Sequence, residues 1–202
     1  MAKRNDSSGY LYHWIKADPF MRFQDSDWDS AFSVMKEIID CGEIRAGLTM
    51  EKGGHECICL TESPKYTILD DSSKYQPFGF EFSKGEIFSL GGRPAIYSTQ
   101  NEKSLLDKSI HWRFMPFDLQ AVSTRTPYGI DFTWEREWRL NEAELLIEDA
   151  TRIYVPNKWY ACLLVEYTND KVHKSISDEF DGYANPAVEK YFDDLQCKIE
   201  IV

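Results

Sequence analysis

Residues 131–140 read D-F-T-W-E-R-E-W-R-L, and this stretch limits the folds open to the chain more than any other. Its aromatic residues and threonine favour an extended backbone, which predicts a strand, and a strand needs neighbours to satisfy its N–H and C=O groups. Side chains alternate along a strand, sending Phe132, Trp134, Arg136 and Trp138 to one face and Thr133, Glu135, Glu137 and Arg139 to the other. Glu135 and Glu137 then point the same way. Carboxylates at i and i+2 on one face repel each other, an arrangement suited to a site that must stabilise a developing positive charge. A plainer reading stands beside it: an exposed strand face on which Arg136 and Arg139 neutralise the two glutamates.

The partners for such a strand are spread along the chain. After a polar tail at 1–9, G-Y-L-Y-H-W-I reads as a first strand, with Leu11, His13 and Ile15 on one face and Tyr12 and Trp14 on the other. Residues 25–42 have helical spacing at Phe32, Met35, Ile38 and Ile39, with Gly42 where a terminating glycine belongs. The turn E-K-G-G leads to a strand, H-E-C-I-C-L-T-E-S-P, that stops at Pro64. Residues 65–76 are predicted to loop over a surface. F-G-F-E-F-S-K-G-E-I-F at 78–88 reads as a strand with Phe78, Phe80 and Phe82 on a buried face, and G-G-R-P turns into the strand A-I-Y-S-T. Residues 101–110 form a charged connection with helical character, 111–119 read as a strand, and 123–130 as a loop. A-E-L-L-I-E, T-R-I-Y-V-P and Y-A-C-L-L-V-E-Y read as short strands, and N-P-A-V-E-K-Y-F-D-D-L as an acidic helix. Many short strands with the clearest helix early predict an α+β fold on antiparallel or mixed sheets. With no repeat or linker, the chain is expected to form a single domain over 1–202.

Composition removes several function classes. A hydrophobic fraction of 43% with 14% aromatics suits a folded protein rather than a disordered one. The net charge of −11 opposes non-specific attraction to nucleic acid, which rests on neutralising phosphates. No apolar run approaches the ~20 residues that span a bilayer, and M-A-K-R-N-D-S-S-G-Y lacks a signal-peptide core, so a cytoplasmic protein with no membrane partner is expected. Cys41, Cys57, Cys59, Cys162 and Cys197 include no C-x-x-C pair, and Cys57 and Cys59 read as small buried hydrophobes in a strand rather than zinc ligands.

The order of these features resembles the ADP-ribosyltransferase superfamily. Y-H-W-I followed by M-K-E-I-I-D-C-G-E-I looks like that family's opening, a histidine strand before a helix ending in glycine. I-C-L-T-E-S-P is similar to its second strand, which ends in small hydroxyl residues, and E-R-E to the motif that carries the catalytic glutamate. The likeness covers roughly residues 10–140 and is nearest to DarT-type enzymes, which modify nucleic acid bases; here Thr61 and Ser63-Pro64 stand one residue closer together than in that pattern.

The resemblance implies split antiparallel or mixed sheets, NAD as substrate, and a macromolecular acceptor that is protein or nucleic acid, in toxin–antitoxin or phage-defence biology. Cleaving the nicotinamide–ribose bond creates an oxocarbenium-like centre that a carboxylate stabilises. That part falls to Glu137, while Glu135 would orient or deprotonate the acceptor. His13 would bond a ribose hydroxyl or the carboxamide of NAD, Thr61 and Ser63 would add polar contacts, and Tyr97 would stack on nicotinamide or serve as a core aromatic. Arg93 would bind the pyrophosphate in two-point fashion or pair with an acidic side chain. No P-loop or G-x-G-x-x-G is present.

Two other classes compete. Glu135 and Glu137 with His13, His55 or His111 would build a metal-dependent hydrolase, although no compact ligand set such as H-E-x-x-H occurs. An acidic domain of the same fold without activity would serve as a binding module, an antitoxin or an inhibitor, with charge complementarity choosing its partner.

Overall fold

A computed structural model describes residues 8–16, 25–48, 55–66, 75–124 and 126–202. The polar tail before residue 8, the E-K-G-G turn and most of the loop expected at 65–76 lie outside the described residues. In chain order the elements are β1 (Tyr10–Lys16), α1 (Asp25–Cys41), β2 (Glu43–Arg45), β3 (Gly47–Leu48), β4 (Glu56–Thr61), β5 (Tyr75–Ser83), α2 (Lys84–Ser89), β6 (Arg93–Pro94), β7 (Ile96–Ser98), α3 (Gln100–Lys103), β8 (Phe114–Pro116), β9 (Glu137–Leu140), β10 (Glu144–Leu146), β11 (Arg152–Val155), α4 (Lys158–Lys174), α5 (Pro186–Gln196) and β12 (Ile199–Ile201). This is the mixed α+β organisation expected, mainly antiparallel and with a long early helix. Among the described residues no helix is long and apolar enough to cross a membrane.

The chain divides into two compact units. The first takes Met1–His13, Glu43–Pro64 and Phe82–Leu146; the second takes Trp14–Gly42, Lys65–Glu81 and Ile147–Val202. In the first, β1, β4, β9 and β6 are neighbours in that order and run antiparallel, with β3 also on β4. Two small ladders accompany them: β2 with β10, antiparallel, and β7 with β8, parallel. Leu11, Ile58, Leu60, Phe82, Phe114, Trp138 and Leu140 fill its core. Every residue of β9 is buried, so Glu137 and Arg139 sit inside this unit rather than on a wetted face.

The second unit has β11 between β12, parallel, and β5, antiparallel. Phe32 of α1, Phe78 of β5 and Tyr160 of α4 meet with ring centroids 5.0–6.0 Å apart, and the Tyr160 hydroxyl donates to Asp29 at 2.7 Å. Glu81, 3% exposed, accepts from the hydroxyls of Thr151 and Tyr154 at 2.7 and 2.9 Å, which satisfies a carboxylate that burial would otherwise penalise.

Three sequence expectations change. The run Y-A-C-L-L-V-E-Y belongs to helix α4, not a strand: Asn157 caps it by accepting from the Tyr160 N–H at 3.1 Å, and Tyr160, Leu164 and Thr168 recur at i, i+4 and i+8 on its buried face. A short apolar run fits either element, and only the cap and the length separate them. The strand expected at 78–88 ends at Ser83, after which α2 turns Ile87 into the core. Residues 108–113 form a 3-10 turn, leaving only Phe114–Pro116 of the next expected strand. The closing strand β12 was not anticipated.

Gly42 ends α1 as expected, with φ of 76° and its N–H on the Ile38 carbonyl at 2.9 Å. An added Cβ meets nothing closer than the Tyr191 hydroxyl at 3.6 Å. Gly42→Ala is therefore expected to cost about 1–2 kcal/mol from left-handed strain alone, seen as a thermal midpoint lower by several degrees, on the order of 2–4 °C per kcal/mol. An unchanged midpoint would show that the cap conformation contributes nothing.

Candidate active site

The β4–β9 register places Thr61 opposite Glu137, Leu60 opposite Trp138 and Cys59 opposite Arg139. Tyr12 of β1 lies opposite Thr61, and Arg93 of β6 opposite Arg139. Facing residues of an antiparallel pair share a side of the sheet. Tyr12, Thr61 and Glu137 thus form one row across three strands, with Cys59, Arg139 and Arg93 beside it. Leu60, Glu62 and Trp138 point to the other side. His13 follows Tyr12 along β1, and its imidazole Nδ1 donates to the Cys59 carbonyl at 3.0 Å.

The segment before β9 is not the expected strand. Asp131 accepts from both the N–H and the hydroxyl of Thr133, at 2.9 and 2.7 Å, and this local turn outcompetes an extended ladder. Thr133–Glu135 is a 3-10 turn, and Arg136 follows in the left-handed region with φ 46° and ψ 47°. The same-face argument for Glu135 and Glu137 therefore fails, because the two residues do not share a strand. The strand-face mate of Glu137 is Arg139.

The end of β4 holds this turn by its backbone. The Thr61 hydroxyl donates to the Glu135 carbonyl and accepts from the Ser63 N–H. The Ser63 hydroxyl donates to the Trp134 carbonyl at 2.8 Å, and the Glu62 N–H to the Arg136 carbonyl at 3.2 Å. Thr61 and Ser63, expected to face a nucleotide, spend their hydroxyl protons on main-chain carbonyls. A non-glycine residue in the left-handed region costs of order 1–3 kcal/mol and persists where its surroundings over-determine it.

Glu137 is 6% exposed and Arg139 3%. The Arg139 Nε donates to the Glu137 carboxylate at 2.6 Å, and its other nitrogens donate to the Trp112 and Phe114 carbonyls at 2.9 and 2.6 Å and to the Met115 sulfur at 3.3 Å. Burial by itself lowers the pKa of Arg139, but the Glu137 carboxylate outweighs it and the net direction is upward. The sign mixing of the plainer sequence reading is thus realised between Glu137 and Arg139, though in the interior and not on an exposed face. The signal for it was the opposite charge two residues on.

Tyr97 contacts the same residue from another strand: its hydroxyl accepts the Glu137 N–H at 2.8 Å. Burial, opposed by that hydrogen bond and reinforced by the Glu137 and Glu135 charges, pushes its phenol up to about 12. Arg93 lies over the Phe88 ring, 3.9 Å from its centroid, and donates to the Phe88 and Gly92 carbonyls at 2.8 and 2.7 Å. Hydrogen bonds thus join Thr61, Ser63 and Glu135 in one set and Tyr97 and Glu137 in another, and the β4–β9 register brings the two sets together; His13 bonds the Cys59 carbonyl of β4, and Arg93 lies opposite Arg139. Sequence reasoning missed Tyr12, Glu62 and the buried role of Arg139. Among the described residues no group of three or more His, Cys, Asp or Glu side chains is arranged to hold a metal ion; His55 and His111 approach with ring centroids 6.5 Å apart.

The structure is similar to structures of DarT from Thermus sp. 2.9, the type of enzyme that the sequence motifs resemble. For DarT in complex with NAD+ the TM-score is 0.43 at 12% identity, covering 96% of this chain and 95% of that chain. For the complex with carba-NAD+ the values are 0.42, 11%, 80% and 89%, and for the complex with ADP-ribosylated ssDNA 0.41, 10%, 80% and 88%. No family model matches the sequence, and no curated protein matches it.

Removing one partner from a buried ion pair strands the other, at a cost of about 3–5 kcal/mol. Arg139→Met is expected to lose stability on that scale in urea denaturation, and Glu137→Gln combined with Arg139→Met to recover most of it; additive losses would mean the pair is not coupled.

A raised phenol pKa stabilises the fold below the unfolded value, and that stability is lost as pH rises, because the unfolded state ionises first. The denaturation midpoint of the wild type should fall between the ordinary tyrosine pKa of 10.0 and about 12, and Tyr97→Phe should flatten that fall. Identical slopes would argue against a protonated Tyr97 held on Glu137.

Proposed function

We propose that the chain is an NAD-dependent ADP-ribosyltransferase that transfers ADP-ribose to a macromolecule or hydrolyses NAD. The observation that supports this reading most is the row Tyr12–Thr61–Glu137 across adjacent strands, in which the motif glutamate stands opposite the motif threonine. Glu137 has its carboxylate aimed by Arg139 and its backbone by Tyr97. In the reaction the bond between ribose C1′ and the nicotinamide nitrogen breaks, with the electron pair leaving on neutral nicotinamide. An acceptor oxygen or nitrogen bonds to C1′ and gives up its proton. Glu137 stabilises the positive charge that builds at C1′, and Glu135 orients or deprotonates the acceptor. His13 bonds a ribose hydroxyl or the carboxamide, Tyr97 borders the nicotinamide, and Arg93 takes the pyrophosphate. Thr61 and Ser63 serve the site by fixing the turn that delivers Glu135 and Glu137.

One observation favours a second reading. The Glu137 charge is already balanced by Arg139 in the interior, which suits a fold kept for binding, with the net charge of −11 directing it to a basic partner protein.

Incubation with NAD separates the two. The enzyme reading expects nicotinamide release, with transfer to single-stranded DNA, the nucleic acid present in one DarT complex, or to protein. Glu137→Gln should lower turnover by roughly 10² or more with little change in NAD affinity. Glu135→Gln should spare hydrolysis and weaken transfer. A native state that binds NAD also melts higher in its presence. No nicotinamide release and no change in melting at millimolar NAD would leave the binding module in place.

A further inference from the structure

The turn that delivers Glu137 is gripped from the side of the sheet opposite to Glu137 itself. Glu62 is 7% exposed. Its carboxylate accepts from Arg136 Nη2 at 3.1 Å, Lys84 Nζ at 2.8 Å and the Trp138 indole N–H at 2.9 Å, while its N–H donates to the Arg136 carbonyl at 3.2 Å. Lys84 also lies 5.3 Å from the centroid of the Trp138 ring. One residue thus binds Arg136 by both its main chain and its side chain.

Arg136 is the residue that most needs such a grip. It takes the left-handed conformation without being glycine, at the junction between a 3-10 turn and β9. Its torsions set the direction in which the next residue, Glu137, enters the strand. Trp138 alternates with Glu137 and Arg139 along β9, and the Glu62 carboxylate accepts from the Trp138 indole, so the Glu62 and Glu137 carboxylates lie on different sides of the β4–β9 ladder. Glu62 acts on Glu137 through the backbone and not by touching what Glu137 touches.

We infer that Glu62 is a positioning residue: by clamping Arg136 in the left-handed conformation it aims the Glu137 carboxylate. The inference rests on the proposed role of Glu137 for its kinetic consequence and on geometry alone for the clamp. Lys84 and Trp138 hold the Glu62 carboxylate in its turn.

The test uses the fact that glycine adopts the left-handed conformation without help. Glu62→Ala should lower kcat for nicotinamide release by about 10²-fold, the scale of a small misplacement of a reacting group, with KM for NAD nearly unchanged. Glu62→Gln, which keeps the shape and one acceptor oxygen, should retain part of the rate and remains available where the alanine variant does not fold. Arg136→Gly should stay close to wild type, and adding Glu62→Ala to Arg136→Gly should cost severalfold at most. Arg136→Ala, without clamp or glycine, should fall as far as Glu62→Ala. An equal kcat loss from Glu62→Ala in the wild-type and Arg136→Gly backgrounds overturns the inference, as does a loss carried by KM. A wild-type protein that releases no nicotinamide overturns the proposed reaction instead. The clamp is then judged by urea denaturation of the same variants: Glu62→Ala lowers the midpoint in the wild-type background and much less in Arg136→Gly, whereas equal shifts overturn it.

Discussion

A guanidinium and a carboxylate removed from water at 2.6 Å organise the unit that contains the candidate site. Burying either charge alone is costly, and the pair is tolerated because the remaining donors of Arg139 are also used. Those donors fasten the Trp112 and Phe114 carbonyls, which fixes where β8 begins. β8 carries β7 alongside it, with Met115 opposite Tyr97, and the Tyr97 hydroxyl returns to the Glu137 N–H. The connections close a ring from Glu137 through Arg139, β8 and β7 back to Glu137. Each link depends on the others, because a buried polar network is stable only when its members are satisfied together.

The two sides of the β4–β9 ladder divide the work. One side carries Tyr12, Thr61, Glu137 and Arg139; the other carries Glu62 and Trp138. Three consecutive residues at the end of β4 bond the three residues before Glu137, Thr61 and Ser63 with their hydroxyls and Glu62 with its N–H. A hydroxyl that donates to a carbonyl in this way acts as part of the scaffold. The small hydroxyl residues of the L-T-E-S-P motif spend their protons on fixing the shape of the turn before β9.

This placement bears on how an ADP-ribosyltransferase-like site would operate. A carboxylate already paired with arginine has a fixed direction, which favours preorganised electrostatic stabilisation, and a reduced net charge, which limits it. In the proposed reaction the balance between them would be set by how the pair responds to charge growing on the ribose. The geometry defines the two competing contributions in named atoms.

The strands and helices of the first half of the chain were largely legible in the sequence, because alternation, helical spacing and the glycine after α1 are local signals. The helix α4 was not, since Y-A-C-L-L-V-E-Y is apolar without a visible period and its polar cap lies outside the run. At the candidate site, Glu137, Thr61 and Ser63 were legible as residue types in order. The bonding of the two hydroxyls was not, because their carbonyl partners are more than seventy residues away in sequence: Thr61 with Glu135, Ser63 with Trp134. Asp131 and Thr133 carried a local turn signal that the aromatic content of the stretch obscured. By itself, the sequence determined which side chains with chemistry the chain owns and most of the segments that carry them. Only the tertiary structure decided that Glu137 faces Arg139 and not Glu135, because a left-handed residue between turn and strand resets the alternation, and that conformation is held by contacts from a distant strand.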